Sequence, residues 1–378
     1  MSQTIHRIDP NPDTVIILRN PTIDFAPWDS PDPSANDEEA LEEEGDDKSP
    51  QAETRLEPIG DSSASEVGST PSTLPGVPDD NHDPLEEDGI RFEVSSRHLM
   101  LASPRFKTML SGRKWQEGVP GLDGRFVIRT EDWDEEAFRI LMNVIHTRNR
   151  AVPRTIDLDL LAKIAVLVDY YDCSETIELF KDIWIDHVNK TAPAPSNYCR
   201  DLMLWVCVAW VFGLEETFLA TTEVAMRQSK DCIRALGLPI PPRIIDEIDH
   251  HRFQAIESII SQLYDLQEIL FSEDYQCQSN SKSSHECGSM LYGVLTKEIH
   301  RLGLMSPYPE PPFEGLGFQD LSNKLQTMKK SRWGTSADSQ NYRGFVHHTC
   351  SVITEVQPMI NKTSEKLCGL VLADFLHT

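Results

Sequence analysis

The stretch from Ile90 to Leu110, IRFEVSSRHLMLASPRFKTML, decides how this chain is read. Phe92 and Val94 alternate with Arg91, Glu93 and Ser95, the two-residue period of a half-buried strand. Past Ser95 the period changes, and His98, Leu101, Phe106, Met109 and Leu110 fall at helical spacings. A short strand that runs straight into a helix needs a neighbouring strand to satisfy its main chain. Thr14 to Leu18, TVIIL, is β-branched and apolar and supplies that partner. A third short strand, Phe126 to Ile128, follows the Gly-rich turn Gly121 to Gly124.

Between the first two strands lies a stretch of different composition. From Asp29 to Gly89 the chain carries 20 Asp or Glu against only Lys48 and Arg55, which is −18 of the total formal charge of −26. Residues 25–87 hold almost no aromatic side chains and are expected to be a disordered acidic insert, since they cannot bury enough apolar surface to offset the entropy of ordering. The rest of the chain is only mildly acidic. No basic face is available to displace counterions, so direct nucleic-acid binding is not expected.

Downstream, the pattern is helical. Asp134 should cap a helix whose Phe138, Leu141, Met142 and Ile145 share a face, Asp157 one with Leu161, Ile164, Ala165 and Val168, and Ser174 one with Ile177, Phe180, Trp184 and Val188. Leu202 to Phe212 is apolar all round and reads as the centre of a second core. Arg243 to Phe271 reads as a long amphipathic helix and Ser279 to Glu286 as a polar loop. Leu291 to Leu302 reads as a further helix, and Pro307 to Pro312 as a rigid connector. The expected class is α+β, a small sheet packed by helices with a mainly helical C-terminal region. The division is 1–24 with 88–190 as one domain, 25–87 as the insert, and 191–378 as a helical domain. The N-terminus has no secretory pattern, and the longest apolar run, Leu202 to Leu214, is too short to span a bilayer. An intracellular protein, nuclear or cytoplasmic and without membrane attachment, is expected.

The opening motif resembles that of the BTB/POZ domain, a protein-interaction fold, through His98, Leu101, Ala102, Ser103, Phe106, Met109 and Leu110. The similarity extends, as in the BTB proteins of filamentous fungi, through Val144 to Pro153 and Leu161 to Cys173. It continues to Trp205, Trp210, Phe212, Leu238-Pro239 and Pro309 to Gly317. This resemblance implies a non-enzymatic module that binds itself or protein partners, with His98, Phe106, Met109, Leu110, Trp115 and Glu117 as interface residues. Trp115-Gln116-Glu117 matches by position the pattern with which ubiquitin-ligase adaptors of the family dock on a cullin scaffold. Trp115 packed beneath its own loop is the other reading of the same residues. A nuclear regulator using the acidic segment is a further alternative, although Lys329-Lys330-Ser331-Arg332 is short for a nuclear signal.

No phosphate-cradling Gly loop, HExxH or GxSxG is present. Asp132, Asp134, Glu135 and Glu136 suit a helix N-terminus, and Asp169 to Asp172 suit a solvated helix end. Ligand chemistry is confined to Cys277, His285, Cys287, His347, His348 and Cys350. Cys277, Cys287, His348 and Cys350 would make a closed, structural zinc site, the alternative being thiols that pack as small apolar residues. Cys173, Cys199, Cys207 and Cys232 read as core.

Like charges on two acidic inserts repel, and salt screens that repulsion. The expectation is a weak homodimer at best, whose sedimentation coefficient rises with ionic strength; a tight dimer at low salt would contradict it.

Overall fold

The computed structural model describes residues 4–21, 24–28, 88–112, 115–279, 281–305, 307–329 and 349–376. Strands β1 (Ile5–Arg7), β2 (Thr14–Arg19), β3 (Ile90–Val94) and β4 (Phe126–Glu131) form one mixed sheet in the order β1-β3-β2-β4. β2 lies at its centre, antiparallel to β3 with Thr14 opposite Val94, and parallel to β4 with Ile16 opposite Ile128. Val15, Ile16, Ile17 and Leu18 are all buried, so this strand has both faces covered and reads as a continuous apolar run. Thr14–Leu18 and Ile90–Val94 are therefore direct neighbours. β1 runs parallel to β3 and is mostly exposed, which leaves no apolar period in its sequence.

The chain then forms α1 (Ser96–Ala102), α2 (Pro104–Leu110), α3 (Glu135–Ile145), α4 (Leu158–Tyr171) and α5 (Glu178–Thr191). It continues through α6 (Arg200–Phe212), α7 (Glu215–Gln228), α8 (Pro242–Phe271), α9 (Ser284–Arg301), α10 (Phe318–Gln326) and α11 (Val352–Lys366). The class is α+β with a helical bulk. Asp134 caps α3 by accepting from the Ala137 amide at 2.9 Å, and Asp157 caps α4 by accepting from Leu160 at 2.8 Å. Ser174 caps nothing: Ser174–Ile177 is a 3-10 turn, and α5 begins only at Glu178. α9 starts at Ser284, inside the stretch expected to be a polar loop, because its first turn is solvated and buries only Cys287.

α4 packs against both α3 and α6, which explains why it is apolar on more than one face. The described parts of Met1–Pro27 and Asp88–Thr378 form one compact unit, so the packing of α4 on α6 bridges the boundary expected at 190/191. Most of the acidic insert lies outside the described residues. Its expected start at residue 25 is too early, since Ala26 is buried and Arg200 donates to the carbonyls of Phe25 (2.7 Å) and Ala26 (2.9 Å). Of the cysteines read as core, Cys173 and Cys207 are buried, while Cys199 is half-buried and Cys232 exposed, at turns where nothing covers them fully. Among the described residues no helix is long and apolar enough to cross a membrane.

The C-terminal helices are organised around a buried cation. Arg252 of α8 is fully buried and donates to the carbonyls of Ser229, Lys230, Pro312, Phe313 and Leu316 at 2.5 to 3.2 Å. The planar guanidinium, with five N–H donors in a fixed fork, matches this task as an ammonium cannot. Arg252→Met leaves buried carbonyls unpaired, each costing about 1–3 kcal/mol, and should lower stability by at least that much; Arg252→Lys should recover only part of the loss. Urea unfolding of the three proteins checks this; equal midpoints would show that water replaces the guanidinium.

Candidate functional site

The site begins with a break in the chain. Ser103 ends α1 and starts α2, its hydroxyl oxygen accepting from the Phe106 amide at 3.0 Å while its hydroxyl donates to the Tyr171 carbonyl. Pro104 follows at the first helical position, where its missing N–H costs nothing. The Phe106 ring stacks on Tyr171 at 4.4 Å and 11°. Arg105 donates to the Tyr170 carbonyl and sets its guanidinium 4.1 Å from the centre of the Tyr170 ring. α4 ends there because Asp172 takes the left-handed conformation, φ 50°, which Asp tolerates better than most residues.

These contacts hold α2 against the end of α4 and leave an open groove of about 810 Å³. Pro104, Arg105, Thr108 and Met109 line it from α2, Asp169, Tyr170 and Asp172 from the end of α4, with Trp115 and Glu117 completing it. Trp115 is 50% exposed and Tyr170 43% exposed, so two aromatic surfaces stand open beside Met109. The charges are one guanidinium against the carboxylates of Glu117, Asp169 and Asp172. Burial, with Asp172 adding repulsion, raises the Asp169 carboxyl against the pull of Arg105. The arrangement suits an apolar anchor flanked by basic groups.

Of the residues expected at a partner interface, Met109, Trp115 and Glu117 meet at this groove. Phe106 and Leu110 do not: both are buried, and they belong to the core beneath α2 because they sit on its inward face. His98 is elsewhere too. It lines a second groove with Leu101, Val144, Ile145, Leu179 and Phe180, in which Leu101 is 88% and Leu179 81% exposed. Sequence reasoning missed the wall made by Asp169, Tyr170 and Asp172, and it misplaced Tyr171, which is buried rather than solvated. The Ser103-Pro104 pair, a helix-start signal, could have revealed the break between α1 and α2.

A second constellation lies in the C-terminal region. Cys277 follows α8, Cys287 sits in the first turns of α9, and Cys350 precedes α11. Their three sulfurs lie within 4.8 Å of one another, with Cys277 and Cys350 3.7 Å apart. Gly288 makes this approach feasible: a Cβ there would meet the Leu270 carbonyl oxygen and the Tyr275 ring at 3.0 Å. The Tyr275 hydroxyl is 3.6 Å from the Cys287 sulfur and the Ser279 hydroxyl 3.3 Å from that of Cys350. Burial pushes the Cys287 thiol up to about 12, whereas for Cys350 the Ser279 hydroxyl and main chain and the neighbouring thiols outweigh burial and lower it. His285 is exposed on α9, and His347 and His348 lie outside the described residues.

No protein-family model, curated protein or solved structure matches the chain.

Asp9, His98 and His146 form another close set of ligand-type atoms. Both ring nitrogens of His146 are already engaged: Nδ1–H donates to the Met142 carbonyl at 2.8 Å, and Nε2 accepts from the Ser95 amide at 2.9 Å. Its partners fix the neutral tautomer and spend its ligand atom, so this set is a joint between α3 and the β3–α1 turn rather than a metal centre. Burial, helped by repulsion from His98, lowers His146 below its usual 6.5, against the favourable effects of Met142, Asp9 and Ser95. Because the folded state protonates less readily than the unfolded chain, the unfolded state takes up the extra proton below pH 6.5 and stability falls as pH drops through that window. Melting temperatures measured from about pH 7.5 to 5.5 should fall in the parent and change less in His146→Gln; parallel profiles would remove His146 as the source.

Proposed function

We propose that this chain is a non-enzymatic protein-interaction module of the BTB/POZ kind that engages a basic partner segment through the groove between α2 and the end of α4. The observation that carries this reading is the half-exposed Trp115 set beside Met109, Tyr170 and three carboxylates. A large aromatic with a desolvatable apolar neighbour, rimmed by charge, is the composition from which binding hot spots are made. The excess of carboxylates over the single Arg105 gives the occupant its sign, steering Lys- or Arg-bearing segments towards the aromatic floor. The small sheet followed by short helices, with Ile90–Val94 leading directly into α1, supports the BTB/POZ comparison drawn from the sequence.

A second, narrower reading is a substrate adaptor of a cullin-type ubiquitin ligase. It is favoured by Trp115 and Glu117 of the Trp-Gln-Glu pattern lining the same groove as Met109, with Trp115 open rather than tucked beneath its loop.

Affinity capture with the full chain as bait, quantified by mass spectrometry against Trp115→Ala and Glu117→Ala, tests both. Trp115→Ala should weaken recovery of groove-dependent partners by about 30-fold, the effect of losing a hot-spot contact of about 2 kcal/mol, with an unchanged melting temperature. Raised salt should weaken the same partners. Cullin peptides present with the parent and lost with both variants would select the adaptor reading. A partner list indifferent to Trp115 and Glu117 would remove the groove as the docking surface.

A further inference from the structure

We propose that Cys277, Cys287 and Cys350 hold a zinc ion as thiolate ligands, making a structural metal centre that fastens the end of α8 to the start of α9 and to the segment leading into α11. Zinc–thiolate bonds of about 2.3 Å in a tetrahedron place ligand sulfurs about 3.8 Å apart. The 3.7 Å between the sulfurs of Cys277 and Cys350 fits that edge. It is far longer than the roughly 2.05 Å of a disulfide. None of the eight cysteines is in a disulfide, yet these three converge from separate segments, Cys277 and Cys350 being 73 positions apart.

Thiols that merely fill a core would be surrounded by hydrocarbon. Here hydroxyl groups reach two of the sulfurs and the main chain of the third cysteine. Tyr275 and Ser279 approach the sulfurs of Cys287 and Cys350, and Ser284 accepts from the Cys277 amide at 3.0 Å while donating to the Ser281 carbonyl at 2.8 Å. Such outer contacts orient ligating residues and stabilise negative sulfur. Three sulfurs this close can all be deprotonated only with a cation among them, and soft sulfur donors select zinc over calcium or magnesium. The trio leaves one tetrahedral position for a fourth donor. With that position filled by a protein group, the centre is closed and its role is to hold the fold.

The test is the metal content of the full chain purified without chelator under reducing conditions. The expected result is close to one zinc per chain in the parent and in the exposed-cysteine controls Cys232→Ser and Cys368→Ser. Cys277→Ser, Cys287→Ser and Cys350→Ser should each lose at least nine-tenths of it. Should those variants fail to fold, the parent is titrated with a mercurial in the presence of a zinc-sensitive dye, and one zinc should be released as three thiols react. Cobalt exchanged into the parent should show thiolate-to-cobalt charge transfer and the intense visible bands of a tetrahedral site. Less than one zinc per two chains after incubation with zinc would overturn the proposal. So would equal loss in the control variants, or a parent two mass units light from a Cys277–Cys350 disulfide and free of metal.

Discussion

Exclusion of water from both faces of β2 is the constraint on which the rest of this structure depends. A strand whose Val15, Ile16, Ile17 and Leu18 are all buried must be flanked by strands on both edges and covered on both faces. β3 and β4 satisfy its main chain from either side. That requirement draws Ile90 back to lie opposite Leu18 whatever the length between them, because closure entropy grows only logarithmically with loop size. Once β3 is fixed, α1 must leave its end at Ser95, and His146 and Asp13 receive that turn through the Ser95 and Ser96 amides.

The groove follows from this geometry by a short chain of causes. The Ser103 break turns α2 away from α1, Phe106 anchors it on Tyr171, and the left-handed Asp172 stops α4 before it can fill the space. Ser103, Phe106 and Tyr171, which hold the two helices together, are buried, whereas the exposed Asp172 both stops α4 and lines the groove. Core and surface positions thus alternate along one short sequence, so Phe106 and Leu110 lie beneath α2 while Met109 between them lines the groove.

Much of this was legible beforehand, for physical reasons. The pairing of Thr14–Leu18 with Ile90–Val94 could be read because a buried strand has nowhere to hide polar residues, and the caps at Asp134 and Asp157 because a side-chain oxygen is needed at those positions. The thiol trio could be named because so few side chains bind soft metals. Other features leave no local mark. β1 is short and exposed, so it has no apolar period. Ser174 has the chemistry of a cap but sits in a 3-10 turn, and the polar start of α9 looks like loop because only Cys287 faces inward. Tyr170 and Tyr171 are adjacent in sequence yet one is open and the other enclosed, because only Tyr171 is packed among Phe106 of α2, Phe138 of α3, Thr130 of β4 and the Trp133 ring.

Arg252 reaches the ends of two loops far apart in the chain, Ser229–Lys230 and Pro312–Leu316, from a single position on α8. A loop that lifts away strips the guanidinium of part of its carbonyl shell and leaves the rest of that shell strained on the other loop. The two loops thereby share one anchor, so a residue that touches nothing outside the molecule ties the local opening of one to that of the other.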